Sequence, residues 1–295
     1  MPRPTLHTPT PVVAVINMKG GVGKTTITGN VFRELFRRKR KRTLLIDFDP
    51  QYNLSQLLLT RVAYDALKAQ KKTIWYVMEP EAPGSIFSTS ENSTLEVVDC
   101  DTYTTRLRYL TGTPDTVLQL LPGDFQLARL NLRDSNAMLR VPRERFRSFV
   151  EQAKQSYDLV VLDCNPSSSF LTRTAIEVAT HLLMPVRPDK YSTLGVEMLT
   201  QYIKELPNLV TVPEPIILIN DLPSNAEADS IMNELRGHTI YGPQMLIETL
   251  PHTKILAARP DYTGFAVDRR VPYSKRVGRI LAKVADELAL RIGVV

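Results

Sequence analysis

Val12-Val13-Ala14-Val15-Ile16-Asn17-Met18-Lys19-Gly20-Gly21-Val22-Gly23-Lys24-Thr25-Thr26 decides how this 295-residue chain is read. A short β-branched run ends in a glycine-rich turn, and a helical segment continuing through Asn30 and Val31 opens directly behind it. Glycines lack Cβ, so successive backbone amides can curl around phosphate oxygens, and the helix N-terminus adds its partial positive charge. Lys24 is placed to neutralise the outer phosphates, and Thr25 offers a hydroxyl to Mg2+. Lys19, Gly20, Gly21, Val22, Gly23, Lys24, Thr25 and Thr26 therefore form a candidate cradle for a nucleoside triphosphate. The common pattern G-x-x-x-x-G-K-[ST] is not met to the letter, because Met18 stands at its first glycine position and a lysine follows at Lys19.

Outward from this loop, apolar runs recur at 43–47, 117–121, 159–163, 181–186, 216–220 and 246–250. They are nearly continuous rather than alternating, which is what strands buried on both faces of a parallel sheet require. Helical spacing is read at 142–156, 192–206 and 224–236, the last opened by a capping box at Ser224-Asn225-Ala226-Glu227. A final helix over 274–292 carries Val277, Ile280, Leu281, Val284, Leu288 and Ile292 on one stripe, suited to packing on the sheet. The expected fold is α/β and doubly wound, a mostly parallel sheet with helices on both faces. It is expected to form one domain over 12–295, after a flexible tail over 1–11 that holds four prolines. The stretch 60–116 is the least legible, and 79–93 reads as an exposed loop.

With 43% hydrophobic and 23% charged residues, the composition is that of a folded globular chain. No run approaches the roughly 18 apolar residues of a membrane span, and the first residues contain no apolar signal core, so a cytoplasmic protein is expected. Two cysteines, Cys100 and Cys164, and four scattered histidines match no disulfide framework or zinc site. Run 33–42 has seven basic residues and one acid, a net +6 that equals the charge of the whole chain. A second basic stretch over 254–279 sets Lys254, Arg259, Arg269, Arg270, Lys275, Arg276 and Arg279 against Asp261 and Asp268. Such clusters suit a polyanion, although a solvated surface is the plainer reading, and run 33–42 also complements a helix C-terminus.

The loop Lys19-Gly20-Gly21-Val22-Gly23-Lys24-Thr25-Thr26 resembles the deviant phosphate loop of the ParA/MinD family of ATPases, and most of all the ParA-type partition ATPases that lack an N-terminal helix-turn-helix domain. Leu44-Leu45-Ile46-Asp47-Phe48-Asp49-Pro50-Gln51 is similar to that family's second motif. Leu159-Val160-Val161-Leu162-Asp163-Cys164-Asn165-Pro166 is similar to its Walker B segment. Met184-Pro185-Val186, Tyr191-Ser192-Thr193-Leu194-Gly195, Ile217-Leu218-Ile219-Asn220 and Leu250-Pro251 carry the likeness to about residue 292, weakly across 60–116. The resemblance implies hydrolysis of ATP to ADP and phosphate, with ATP and Mg2+ as cofactors and Lys19, Lys24 and Asp49 as the catalytic set. Lys19 would reach across a sandwich dimer to its twin's phosphates, and Asp49 would orient the attacking water. Asp163, at the end of an apolar strand, suits a water-bridged Mg2+, because a hard cation on phosphates keeps several of its waters. Thr25 and Asp47 would share that metal, and Asn220 and Pro251 would lie on the nucleotide-base side. Many relatives carry Pro-Pro where this chain has Asn165-Pro166, which bears on the switch segment 167–170.

By the same resemblance, an ATP-bound homodimer binds nonspecific DNA, a ParB-like or adaptor protein stimulates turnover, and plasmid, chromosome or protein cargo is segregated or positioned on the nucleoid. Arg269, Arg270, Lys275, Arg276 and Arg279 are the candidate DNA contacts, since lysine and arginine on phosphates give sequence-blind, salt-sensitive binding that a dimer doubles. Only eleven residues precede Val12, so no site-specific recognition helix is expected. Region 60–116 is the candidate selector of the partner. The alternatives are a MinD-like membrane-associated positioning ATPase and a P-loop ATP-dependent ligase. Against the first, 274–292 bears Asp286 and Glu287 and no Trp or Phe, so no membrane partner is expected. An iron-sulfur reductase would need cluster cysteines that are absent, and a non-hydrolysing scaffold would not need Lys19 and Asp49.

Overall fold

The computed structural model describes residues 9–79, 99–133, 136–167, 169–189, 192–207, 209–259, 261–269 and 271–294. The chain runs through β1 (Val12–Val15), α1 (Lys24–Lys39), β2 (Thr43–Phe48), α2 (Asn53–Leu58), α3 (Arg61–Ala69) and α4 (Ile74–Met78). It continues through α5 (Cys100–Tyr103), β3 (Thr105–Leu110), β4 (Thr113–Leu121), α6 (Asn136–Ser156), β5 (Leu159–Cys164) and α7 (Phe170–Val178). It closes with β6 (His181–Val186), α8 (Ser192–Glu205), β7 (Glu214–Ile219), α9 (Ala226–Gly237) and α10 (Ser274–Arg291). One seven-stranded sheet has the order β3-β4-β2-β5-β1-β6-β7, parallel except for β3, which pairs antiparallel with β4 at the edge. This is the doubly wound α/β architecture expected.

The continuous apolar runs have a direct cause in the packing. Alternate residues of each central strand enter opposite cores: Val12 and Ala14 of β1 join Leu44, Ile46, Val160 and Leu162, whereas Val13 and Val15 join Leu45 and Val161. The first core is covered by α6 with Phe146 and Phe149, α7 with Leu171 and α8 with Leu199. The second is covered by α1 with Ile27, Val31 and Leu35, and by α10 with Val277, Leu281, Val284 and Leu288. A strand buried on both faces has no position for a polar residue except near its ends, and Asp47 and Asp163 sit there. At the other end of the strands, the Thr10 hydroxyl bonds the Lys154 carbonyl at 2.9 Å and Pro11 O accepts from Val160 N, so the chain is tied down just before β1.

Four local expectations are corrected. Run 246–250 is not a strand; Leu246 N and Leu250 N bond Ile217 O and Ile219 O beside β7, but only isolated bridges form. Helix α6 starts six residues before Pro142, which lies inside it. A proline cannot donate to the carbonyl four residues earlier, and here Arg133 Nη1 supplies Met138 O at 3.2 Å instead. The cap of α9 is Asn225, whose side chain accepts from Ala228 N at 2.8 Å, in place of a Ser224 box. The β3–β4 hairpin, turned at Gly112 with φ +84°, went unread because β3 is a half-exposed edge strand without a strong apolar period. Most of the 79–93 loop lies outside the described residues. Among the described residues, no helix is long and apolar enough to cross a membrane.

Candidate functional site

The loop between β1 and α1 is held in a conformation that glycine alone adopts without strain. Gly21 and Gly23 have φ of +73° and +90°, Gly23 being the residue that opens α1. Two asparagines fasten it to the neighbouring strand ends. Asn17 accepts from Lys19 N at 2.8 Å and donates to Pro185 O of β6 at 2.8 Å. Asn220, directly after β7, donates to Val22 O at 2.8 Å, so close beneath the loop that a Cβ on Gly23 would lie 2.3 Å from its Nδ2. Lys24 is buried within the curl, its Nζ donating to the Asn17 and Lys19 carbonyls at 3.3 Å each. Burial pulls its pKa down, against the attraction of Asp163.

Three carboxylates flank the loop from β2 and β5. Asp47 and Asp163 are register partners on adjacent strands. Asp163 accepts from the Thr28 hydroxyl at 3.1 Å through Oδ1, while its buried Oδ2 has no hydrogen-bond partner. Burial pushes its pKa up to about 7, opposed by hydrogen bonds from Thr25 and Thr28. Asp47 is fully buried, which raises its pKa well above the usual carboxylate range, with Asp163 adding to the rise. Its Oδ2 takes the Ser55 amide at 2.7 Å and the Ser55 hydroxyl at 2.6 Å, and Ser55 Oγ in turn accepts from Gly123 N at 2.9 Å. Half of Asp47 therefore anchors the start of α2. Asp49, beyond the end of β2, accepts from Gln51 N at 2.9 Å and has its pKa raised by burial and lowered by Lys24.

A cavity of about 790 Å3 opens over this loop, walled by Gly20, Gly21, Gly23, Lys24, Thr25 and Thr26. Asp49, Gln51 and Asn53 form a second wall, and Ala258, Arg259, Tyr262 and Thr263 a third that the sequence did not reveal. That volume is of the size that takes small-molecule ligands. Neither Asn220 nor Pro251 lines it: Asn220 supports the loop from behind, and Pro251 lines a neighbouring cavity of about 480 Å3 with Lys254, Tyr273 and Arg276. Lys19 does not line the cavity either; its Nζ lies 2.5 Å from Asp189 Oδ2 beyond β6.

The basic clusters divide sharply. In run 33–42, Arg33 pairs with Glu34 and Asp268, Arg37 with Glu34, and Arg38 and Lys39 with Asp286 of α10. The pairs of Arg33 with Asp268 and of Arg38 and Lys39 with Asp286 join α1 to α10 and its approach, whereas the Glu34 pairs lie within α1 and Arg40, Lys41 and Arg42 have no carboxylate in ion-pair reach among the described residues. Lys275, Arg276 and Arg279 are exposed at the start of α10, with no carboxylate in ion-pair reach among the described residues. Arg269, expected beside them, is a correction: it is buried, bonds the Ala266 and Ala257 carbonyls and stacks over Tyr262 at 5.3 Å. Its guanidinium fastens the third cavity wall and is unavailable to a polyanion. Arg270 lies outside the described residues.

With loop, acids and cavity in place, the chain is of the P-loop class, and comparison with known proteins agrees. The AAA domain family (AAA_31) matches residues 10–211. A ParA family protein of Chlamydia muridarum is 30% identical over 193 residues, 65% of this chain and 64% of that relative's own length. The chromosome partitioning protein ParA of Myxococcus xanthus is 28% identical over 261 residues, 85% of this chain and 78% of the relative. Among solved structures, a plasmid partition protein of Borrelia burgdorferi bound to AMPPNP superposes with a TM-score of 0.69 at 18% identity, covering 95% of this chain and 99% of that one. Cobyrinic acid a,c-diamide synthase of Mycobacterium smegmatis, with an ATP analogue and magnesium, superposes with a TM-score of 0.68 at 21% identity, covering 96% and 94%. The chain belongs to this AAA domain family and is of the ParA/MinD type. Because one fold serves both a partition protein and a synthase, the fold alone does not select the activity.

Proposed function

We propose that this chain is a ParA-type ATPase that forms a sandwich dimer with ATP, binds DNA without sequence preference, and is returned to the free state when a ParB-like or adaptor protein stimulates hydrolysis. The observation that carries the reading is the convergence on one cavity of Lys24, Asp49 and the curled glycine loop, with a second lysine, Lys19, in the same loop and held by Asp189. Phosphoryl transfer asks a protein to position groups and balance charge, and these residues supply both.

A Mg2+ nucleotide fits the residues present. Asp163 Oδ2 is buried with no donor, and Thr25 lines the cavity beside Lys24. Asp163 and Thr25 would hold the ion, which when bound offsets phosphate charge. Asp47 Oδ1 also lacks a donor, but its Oδ2 is engaged by Ser55, so Asp47 acts as a positioning residue; neither Asp47 nor Asp163 is among the residues that wall the cavity. Lys24 neutralises the outer phosphates from within the loop. Asp49, at the cavity wall and close enough to Lys24 to feel its charge, orients the attacking water.

Lys275, Arg276 and Arg279 support a DNA-facing surface because, among the described residues, no acid pairs with them. The apolar stripe of α10 is buried in the second core, which favours DNA over a bilayer. The test is co-sedimentation with DNA in ATP, in ADP and without nucleotide, at two salt concentrations, with anionic liposomes in parallel. Retention on DNA that needs ATP and falls with salt is the expected result. Retention on liposomes would select a membrane ATPase instead, and ATP turnover without either would favour a ligase.

A further inference from the structure

Arg259 shares the cavity with Lys24 and, among the described residues, these two are the cations that line it. The segment bearing Arg259 is built onto the phosphate loop's own helix. Ala266 N donates to Asn30 Oδ1 at 2.7 Å, and Asn30 Nδ2 donates to Thr26 O at 2.9 Å, in the first turn of α1. Gly264 N bonds Leu57 O at 2.7 Å, and the Tyr262 hydroxyl donates to Phe265 O at 2.9 Å beneath the buried Arg269. The wall is therefore pre-organised, and Arg259 projects from a fixed support.

Its present partner is weak. The guanidinium forks onto Asp261, two residues on, at 2.9 Å from both Nε and Nη2, and the two side chains are 50% and 66% exposed. A pair so exposed contributes little. A triphosphate offers the same planar fork several oxygens and a larger charge.

We propose that Arg259 is a second phosphate-contacting cation of the nucleotide site, paired with Asp261 in this structure and transferred to the phosphates of a bound nucleoside triphosphate. The proposal rests on reading the cavity as a nucleotide site, and the test separates the two. Binding of AMPPNP with Mg2+ and of AMP is measured by calorimetry on the full chain and on the Arg259→Ala, Arg259→Lys, Asp261→Asn and Lys24→Ala variants. Arg259→Ala is expected to weaken AMPPNP about tenfold with AMP little changed, Arg259→Lys to fall between, and Asp261→Asn to tighten AMPPNP. If Lys24→Ala loses AMPPNP while Arg259→Ala binds it as the parent does, the proposal is overturned and the nucleotide site stands. Equal losses for AMP and AMPPNP in Arg259→Ala would also overturn it, because the contact would then lie on the base or ribose. If Lys24→Ala binds AMPPNP unchanged, the reading of the cavity falls and the proposal with it.

Discussion

Lys19 and Asp189, 170 positions apart in the chain, form an ion pair with Nζ 2.5 Å from Oδ2, and both side chains keep about a third of their surface in solvent. The lysine proposed to serve a second protomer is thus held in the single chain by its own β6 loop. Reaching another copy's phosphates requires leaving Asp189, and an exposed pair of this kind resists by at most about 1 kcal/mol.

Three variants follow from that pairing. Lys19→Ala is expected to abolish ATP-dependent dimerisation, read by light scattering. Asp189→Asn is expected to lower the ATP concentration needed for it by a few-fold. Asp49→Ala should still dimerise but stop releasing phosphate. Unchanged turnover in both Lys19→Ala and Asp49→Ala would refute the trans assignment.

The Gly23–Asn220 contact predicts a strained loop on substitution. Gly23→Ala introduces a Cβ at φ +90° and 2.3 Å from Asn220 Nδ2. The backbone conformation alone costs about 1–2 kcal/mol, and the clash adds to it. Urea unfolding should show the full loss in Gly23→Ala, and the double variant with Asn220→Ala should lose less than the sum of the two single variants, since the clash is relieved while the Val22 O hydrogen bond is given up in both Asn220 variants.

Ser55→Ala leaves Gly123 N without an acceptor and removes the hydroxyl from Asp47 Oδ2, all in a fully buried setting. A loss of about 2 kcal/mol or more is expected by chemical denaturation. Magnesium-dependent nucleotide affinity should change little if Asp47 is a support rather than a ligand.

The division between the two basic clusters is directly measurable. Arg276→Glu with Arg279→Glu should eliminate salt-sensitive DNA retention. Arg38→Ala breaks only the exposed pair with Asp286, costing under about 1 kcal/mol, and should leave retention intact. Loss of DNA binding in Arg38→Ala would move the interface to α1.

Both thiols should be inert in the native chain. Cys100 and Cys164 are buried; burial pushes the Cys100 thiol up to about 12 and that of Cys164 well above its usual range. A protonated, inaccessible thiol does not attack iodoacetamide. Mass spectrometry at mildly alkaline pH should find neither labelled until denaturant is added, and rapid native labelling would show that the strand carrying Cys164 opens.

The phosphate loop was legible because its chemistry is local: glycines, a lysine and a helix start within a few residues suffice to form it. The strand-end acids were legible for a related reason, since an aspartate closing a wholly apolar run has few alternatives to a site. Arg269 was misread because its neighbours in sequence are basic, whereas its neighbours in space are the Ala257 and Ala266 carbonyls and the Tyr262 ring. Run 33–42 was ambiguous for the same reason, its charge being answered by Asp268 and Asp286 from the far end of the chain. Asn225 displaced Ser224 as a cap because either side chain can bond the amide three residues on, and the approach of the chain chooses between them.

The amino-acid order alone determined the parallel core strands β1, β2, β5, β6 and β7 and the phosphate loop, because hydrophobic periodicity and glycine chemistry act over a few residues and need no partner from elsewhere. Only the tertiary structure decided which cations are free and which are bound, what supports the loop from beneath, and that 258–263 supplies a third wall. Many of those outcomes depend on ion pairs and hydrogen bonds between residues far apart in the chain, such as Asn220 with Val22 and Arg33 with Asp268, whose strength is set by burial and distance, quantities that exist only once the chain has folded.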